Sequence, residues 1–232
     1  MSVHPDASLP ATYQGDLAGL KAGYRFFDND RVTPAALLAS HRDASWARCT
    51  EEPWVLIAQD TTYFNFTSHP QTTGLGLIES LQDIGLVVHS ALAMTPQGVP
   101  LGILAQKIWA RDPAEHGKRA DRKSLPIEEK ESYRWLETMD QATAGGPAGT
   151  QTVLIGDRES DIYDLFVKVE RDHQQVLVRG AWNRHLNNHP TEYLWNAVES
   201  RPGLGTWMVD VPRKEDQLIR QALLQVQATT VP

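Results

Sequence analysis

Two aspartates stand at the tips of apolar, strand-like runs. Val55-Leu56-Ile57-Ala58-Gln59 leads to Asp60, and Val153-Leu154-Ile155-Gly156 leads to Asp157. A carboxylate at the end of a buried strand is costly unless it is solvated, paired or bound to a cation. Two such tips brought together offer the oxygen ligands that hard divalent ions take. That chemistry suits phosphoryl transfer, in which metal ions clamp the attacking and leaving oxygens. The competing reading is that each aspartate is a strand-end cap, which is the commoner role for a lone Asp. The repeated context, with a β-rich segment between the two, shifts the balance toward the metal reading.

The elements that must position these residues follow from periodicity and breakers. Asp16 to Ala47 reads as helical, with Leu17, Leu20, Tyr24 and Phe27 at helical spacing and the last two expected in the core. Thr33-Pro34 opens a helix that carries Leu37, Leu38 and His41, and Glu51-Glu52-Pro53 ends it. Trp54 to Gln59 is the first strand. Gly85 to Met94 and Val99 to Trp109 form a hairpin around the turn Thr95-Pro96-Gln97-Gly98. Arg111 to Pro126 is a charged loop. Glu128 to Ala142 is a helix with Tyr133, Trp135, Leu136 and Met139 on its apolar face. After the Thr143 to Thr150 linker come a strand at Thr152 to Ile155, a helix at Asp161 to Arg171 and a strand at Gln175 to Val178.

Three antiparallel strands followed by βα units predict an α/β fold, a mixed sheet flanked by helices. This is the element order of the ribonuclease-H-like fold, whose first and fourth strands are neighbours. Asp60 and Asp157 are therefore expected to meet at one edge of the sheet. Beyond Trp182, Tyr193 to Val198 reads as a short helix or turn, and Gly205 to Val211 and Ala222 to Val231 as two strands. An isolated hairpin is marginal, so the sequence reads as cut mid-domain. The expected divisions are 1–52, 53–182 and 183–232.

Composition narrows the class. With 232 residues the chain holds one large domain or slightly more. A single cysteine, Cys49, rules out an intrachain disulfide and a Cys-based zinc site, and fits a cytoplasmic protein. Met1 to Pro10 lacks the regions of a signal peptide, and no apolar run is long enough to span a bilayer. The formal net charge of −7 argues against a nucleic-acid partner unless basic residues cluster locally.

Several ordered segments carry a resemblance. They are Lys21 to Phe27, Gln59-Asp60-Thr61-Thr62, His89-Ser90, Glu129-Lys130-Glu131-Ser132, Gly156-Asp157-Arg158-Glu159-Ser160-Asp161-Ile162-Tyr163 and Val178-Arg179. With them the chain resembles bacterial DDE transposases of the insertion-sequence-four family. The Asp-Arg-Glu-x-Asp-Ile-Tyr segment is the most specific. The resemblance implies a ribonuclease-H-like core preceded by a short helical remnant of an end-binding region and followed by the start of a β-rich insertion. It implies Mg²⁺-dependent (or Mn²⁺-dependent) cleavage and strand transfer at insertion-sequence ends, on double-stranded DNA. A homodimer or a full-length transposase is the expected protein partner. Asp60 and Asp157 become the first two catalytic, metal-binding carboxylates. The family's third, a Glu in a Tyr-x2-Arg-x3-Glu-x6-Lys signature, is absent from this sequence. The chain thus reads as a truncated transposase, and the alternative is a catalytically inactive remnant that binds DNA or full-length transposase. A compact nuclease using Glu192 or Glu199 as third ligand is a poorer third choice.

Other residues have two readings each. Arg111, Lys118, Arg119, Arg122 and Lys123, with His116 beside them, either track phosphates or form a solvated loop. Arg179 and Arg184 follow the fifth strand near the expected metal site, and Lys21 and Arg25 lie on the first helix, where they could touch DNA. Glu159 and Asp161 either support the metal ligands from behind or cap a helix. His89 reads as a strand histidine with a satisfied hydrogen bond, and Trp182 and Trp195 as core or interface residues.

Overall fold

The computed structural model describes residues 7–112, 124–147, 149–186, 189–212 and 219–231. The chain divides into two compact units, Met1–Arg179 and Gly180–Pro232. In the first unit three helices, α1 (Leu9–Tyr13), α2 (Leu17–Phe27) and α3 (Pro34–Cys49), precede β1 (Trp54–Asn65), β2 (Gly76–Leu77), β3 (Ile84–Met94) and β4 (Pro100–Trp109). Then come α4 (Arg134–Thr143), β5 (Gln151–Gly156), α5 (Tyr163–Arg171) and β6 (Gln175–Val178).

These strands make one mixed sheet. β3 runs antiparallel beside β1 and β4 antiparallel beside β3. On the other side β5 runs parallel to β1, and β6 parallel to β5. The order across the sheet is β4-β3-β1-β5-β6, with two-residue β2 paired to the start of β3. The expected α/β class with a mixed, helix-flanked sheet is what the chain forms.

Strand alternation decides where the core sits. Val55 and Ile57 of β1, Ala91 and Ala93 of β3 and Leu154 of β5 are buried together with Trp135, Leu136, Met139 and Ala142 of α4 and Leu165 and Val169 of α5. The alternate residues Leu56, Ala58, Val153 and Ile155 are only half-buried, and Leu177 of β6 is exposed. One face of the sheet is thus helix-covered, and the other is its outer face.

α3 has a different task. Thr33 caps it by accepting the Ala36 N–H at 3.1 Å, with Pro34 in its first turn. It lies along the free edge of β4, where Arg48 Nε donates to the Leu101 carbonyl at 2.5 Å and His41 Nε2 accepts the Ile103 N–H at 3.0 Å. An edge strand otherwise presents unpaired backbone groups. Gly102, with φ +140°, permits this approach: a Cβ there would stand 2.1 Å from Ser45 Oγ.

The second unit holds β7 (His185–Leu186), β8 (His189–Tyr193), α6 (Leu194–Glu199), β9 (Gly205–Val211) and β10 (Arg220–Val226). β7 pairs with β8 and β9 with β10, both antiparallel.

Several expectations need correction. Tyr24 and Phe27 are 51% and 54% exposed, not core, because α2 packs mainly on α1, where Tyr13 lies against Gly23. Trp182 and Trp195 are exposed, so neither is a core residue of its unit. The strand expected at Ala222 to Val231 begins at Arg220 and ends at Val226, since its register is set by pairing Arg220 to Val211. The helix expected from Glu128 starts as two 3₁₀ turns and becomes α-helical only at Arg134. Among the described residues, no helix is long and apolar enough to cross a membrane.

Candidate functional site

β1 and β5 bring the two aspartates together where their parallel ladder stops; only Asp157 is at a strand tip, because β1 runs past Asp60 to Asn65, held there by its pairing with β3. The last β1–β5 pair is Ala58 and Ile155, and each aspartate lies two residues further on. Neighbouring strands run about 4.8 Å apart. By alternation both side chains belong to the outer face, and both residues are exposed. Thr61 N–H donates to Asp60 Oδ1 at 2.8 Å, and Glu159 N–H donates to Asp157 Oδ1 at 2.9 Å. The second bond makes Asp157 the cap of the 3₁₀ turn Arg158–Ser160, so the capping reading is true of one oxygen. Among the described residues, Oδ2 of either aspartate takes no hydrogen bond or ion pair.

The turn after β5 depends on the residue before it. A Cβ on Gly156 would meet Ser160 Oγ at 2.2 Å and the Trp135 ring at 3.1 Å. Ser160 Oγ in turn donates to the Asp157 carbonyl at 2.6 Å. The glycine lets the chain fold back tightly and keeps the Asp157 side chain on the outer face. Arg179 is placed beside it: its N–H donates to the Gly156 carbonyl at 3.1 Å, continuing the β5–β6 ladder. Its side chain is exposed, and alternation from Leu177 puts it on the outer face as well.

Behind the aspartates, on the helix-covered face, lies a buried polar chain. His89 is fully buried; its Nδ1 is 2.8 Å from Thr61 Oγ1 and its Nε2 3.0 Å from Gln59 Oε1. Arg134 Nε donates to Thr61 Oγ1 at 3.1 Å. Gln59 Oε1 can only accept, so the proton of a neutral His89 sits on Nε2, and Nδ1 accepts the Thr61 hydroxyl proton while the hydroxyl oxygen accepts Arg134 Nε. His89 is thus the Nε2–H tautomer. Burial, with the charges of Arg134 and Lys107, holds its pKa down at about 3, so it is neutral. Arg134 also donates to Glu159 Oε2 at 2.5 Å and to the Glu131 carbonyl at 3.1 Å. Glu131 grips Arg111 through Nε at 3.0 Å and Nη2 at 2.6 Å.

The other expected site residues scatter. Arg111 is held by Glu131, by Tyr63 and by the Ile78 carbonyl, and the Glu131 hydrogen bond raises its pKa. It is a structural ion pair and not a free phosphate contact. Lys118, Arg119, Arg122, Lys123 and His116 lie outside the described residues. Lys21 and Arg25 are exposed on α2. Arg184, Glu192 and Glu199 belong to the second unit, where the Arg184 carbonyl accepts the Leu194 N–H. Glu159 is the partner of Arg134, and Asp161 is buried at the end of the 3₁₀ turn. His89 is a satisfied strand histidine, as its position suggested.

Sequence reading missed Arg134 altogether. The available signal was its place just past the Glu129-Lys130-Glu131-Ser132 segment, at the start of α4.

The donor set supplies two carboxylates on one open face. Among the described residues, no group of three or more His, Cys, Asp or Glu side chains converges to form a closed metal cage. Two carboxylates with free oxygens still fit Mg²⁺, which is usually held by one or two carboxylates with waters and substrate phosphates completing its shell. No protein-family model matches the chain.

Proposed function

We propose that the chain is a DNA-processing core of the DDE transposase type, built on a ribonuclease-H-like sheet. The strand order β4-β3-β1-β5-β6, with three antiparallel strands and two parallel ones, supports that fold reading. The observation that carries the functional reading is the placement of Asp60, inside β1, and Asp157, just past β5, each two residues beyond the last β1–β5 pair and on one open face. Asp60 and Asp157 are the residues that would hold Mg²⁺ or Mn²⁺. Such an ion, when bound, supplies charge stabilisation to a phosphodiester oxygen. Arg179, exposed and on the same face beside β5, is a candidate to pair with a DNA phosphate.

The open face explains why a duplex, and not a small molecule, is the proposed substrate. A ligand pocket is concave and encloses its ligand; here both carboxylates stand exposed where the β1–β5 ladder stops. The second reading, a DNA-binding protein without catalysis, is favoured by one observation: the sequence contains no Tyr-x2-Arg-x3-Glu-x6-Lys signature to supply a third acid.

The test is duplex binding by fluorescence anisotropy, with and without Mn²⁺, on the wild-type chain, Asp157→Ala and Arg179→Ala. The proposal expects binding that Mn²⁺ strengthens, that fades with salt, and that loses its Mn²⁺ dependence in Asp157→Ala. Duplex binding indifferent to Mn²⁺ and to both substitutions would refute it. A parallel strand-transfer assay separates the two readings, since cleavage abolished in Asp157→Ala is expected only of a catalytic chain.

A further inference from the structure

We propose that Arg134 is a positioning residue that sets the relative placement of the two aspartates. This rests on the reading that Asp60 and Asp157 act as a pair. Neither carboxylate touches Arg134. Its guanidinium reaches the residue after one and the residue two after the other. Nε binds the Thr61 side chain, and the Thr61 N–H binds Asp60 Oδ1. Nη2 binds the Glu159 carboxylate, and the Glu159 N–H binds Asp157 Oδ1. One rigid fork therefore joins β1 to the turn after β5 at the two positions that orient the ligands.

The surroundings fix that fork. Arg134 is 7% exposed and begins α4. Nη1 is tied to the Glu131 carbonyl, and the guanidinium carbon lies 5.8 Å from the neighbouring Trp135 ring centroid. His89 packs edge-on against the same ring, centroids 4.5 Å apart, and holds the Thr61 hydroxyl from the other side. Thr61 is thereby restrained between His89 and Arg134. Glu159 is half exposed, and its ion pair with Arg134 would be weak as a surface pair. A planar donor set in fixed directions is what lets a single cation span both segments; a lysine ammonium has no such fork.

The test uses the full chain without metal and reads the backbone amides of Thr61 and Glu159 by NMR, with hydrogen exchange. Arg134→Gln is expected to shift both amides and speed exchange at both. Arg134→Lys is expected to restore the Glu159 amide and leave Thr61 displaced. Glu159→Gln, at an exposed site, is expected to move the Thr61 amide through the Arg134 that both side chains bind. The proposal is overturned if Glu159→Gln changes only residues near 157–161, or if Arg134→Lys restores both amides. Should Arg134→Gln fail to fold, Glu159→Gln and Arg134→Lys still decide. Mn²⁺ titration of the same proteins adds a second readout, with binding about tenfold weaker in Arg134→Gln, as for other groups that orient metal ligands. A wild-type chain that binds no Mn²⁺ would refute the metal reading, while the amide shifts would still judge the strut.

Discussion

Three consecutive residues of β1 serve opposite purposes on the two faces of the sheet. Gln59 and Thr61 point to the helix-covered face, where they bracket neutral His89 and Thr61 also engages Arg134. Asp60, between them, points to the outer face and leaves one carboxylate oxygen unpaired among the described residues. The helix-covered face satisfies its polar groups inside a low-dielectric core, which makes them specific and costly to disturb. The outer face keeps charge in water, where it costs little and can take a ligand. A strand with period two can separate scaffold from chemistry at single-residue resolution. Substitutions on the first face should be read in stability, and those on the second in binding.

The contrast is broken most severely at Trp135, which is 2% exposed and packs at the centre of the core. Trp135→Ala should cost about 3–5 kcal/mol, measured by denaturant unfolding. A loss below about 1 kcal/mol would mean that the covered face is not the core it is described as.

His89 sharpens the comparison through pH. Burial lowers its pKa from the ordinary 6.5 to about 3. Between those values the unfolded chain binds a proton that the native imidazole does not. Stability therefore falls as pH drops from about 6.5 toward 3, by up to ~1.4 kcal/mol per pH unit from this group. His89→Gln should lower stability at neutral pH by about 1–3 kcal/mol through unpaired Thr61 or Gln59, yet flatten the acid slope. An unchanged slope in urea titrations across that range would show that His89 does not control it.

Gly156→Ala tests the boundary between the faces. The added methyl collides with Ser160 Oγ, part of the turn that aims Asp157. The expected loss is about 1–3 kcal/mol, together with weakened Mn²⁺ binding. Full metal binding in a destabilised variant would show that the turn positions nothing.

Much of this was legible in the sequence. The two apolar runs ending in Asp60 and Asp157 could be read from period and breakers, and the strand order then made them neighbours. Alternation along β1 also explains why His89 is structural. What escaped was set by tertiary contact. β2 is two residues long and carries no pattern of its own. Tyr24 and Phe27 have helical spacing, but a stripe says which face is apolar and not whether anything covers it. Arg111 looked like part of a basic loop because sequence does not reveal that Glu131 folds back onto it. Arg134 was invisible for the same reason: its partners, Thr61 and Glu159, lie far from it along the chain.

Removing either outer carboxylate should barely affect the fold. Asp60→Asn and Asp157→Asn are expected to change stability by no more than about 0.5 kcal/mol, since both residues are exposed and an Asn Oδ1 still accepts the one short-range hydrogen bond each makes. The most direct test of the paired-carboxylate site is Mn²⁺ calorimetry on the wild-type chain, Asp60→Ala and Asp157→Ala. Weak binding by the wild-type protein that is lost in each single variant is the predicted result. Equal Mn²⁺ binding by all three proteins would contradict it.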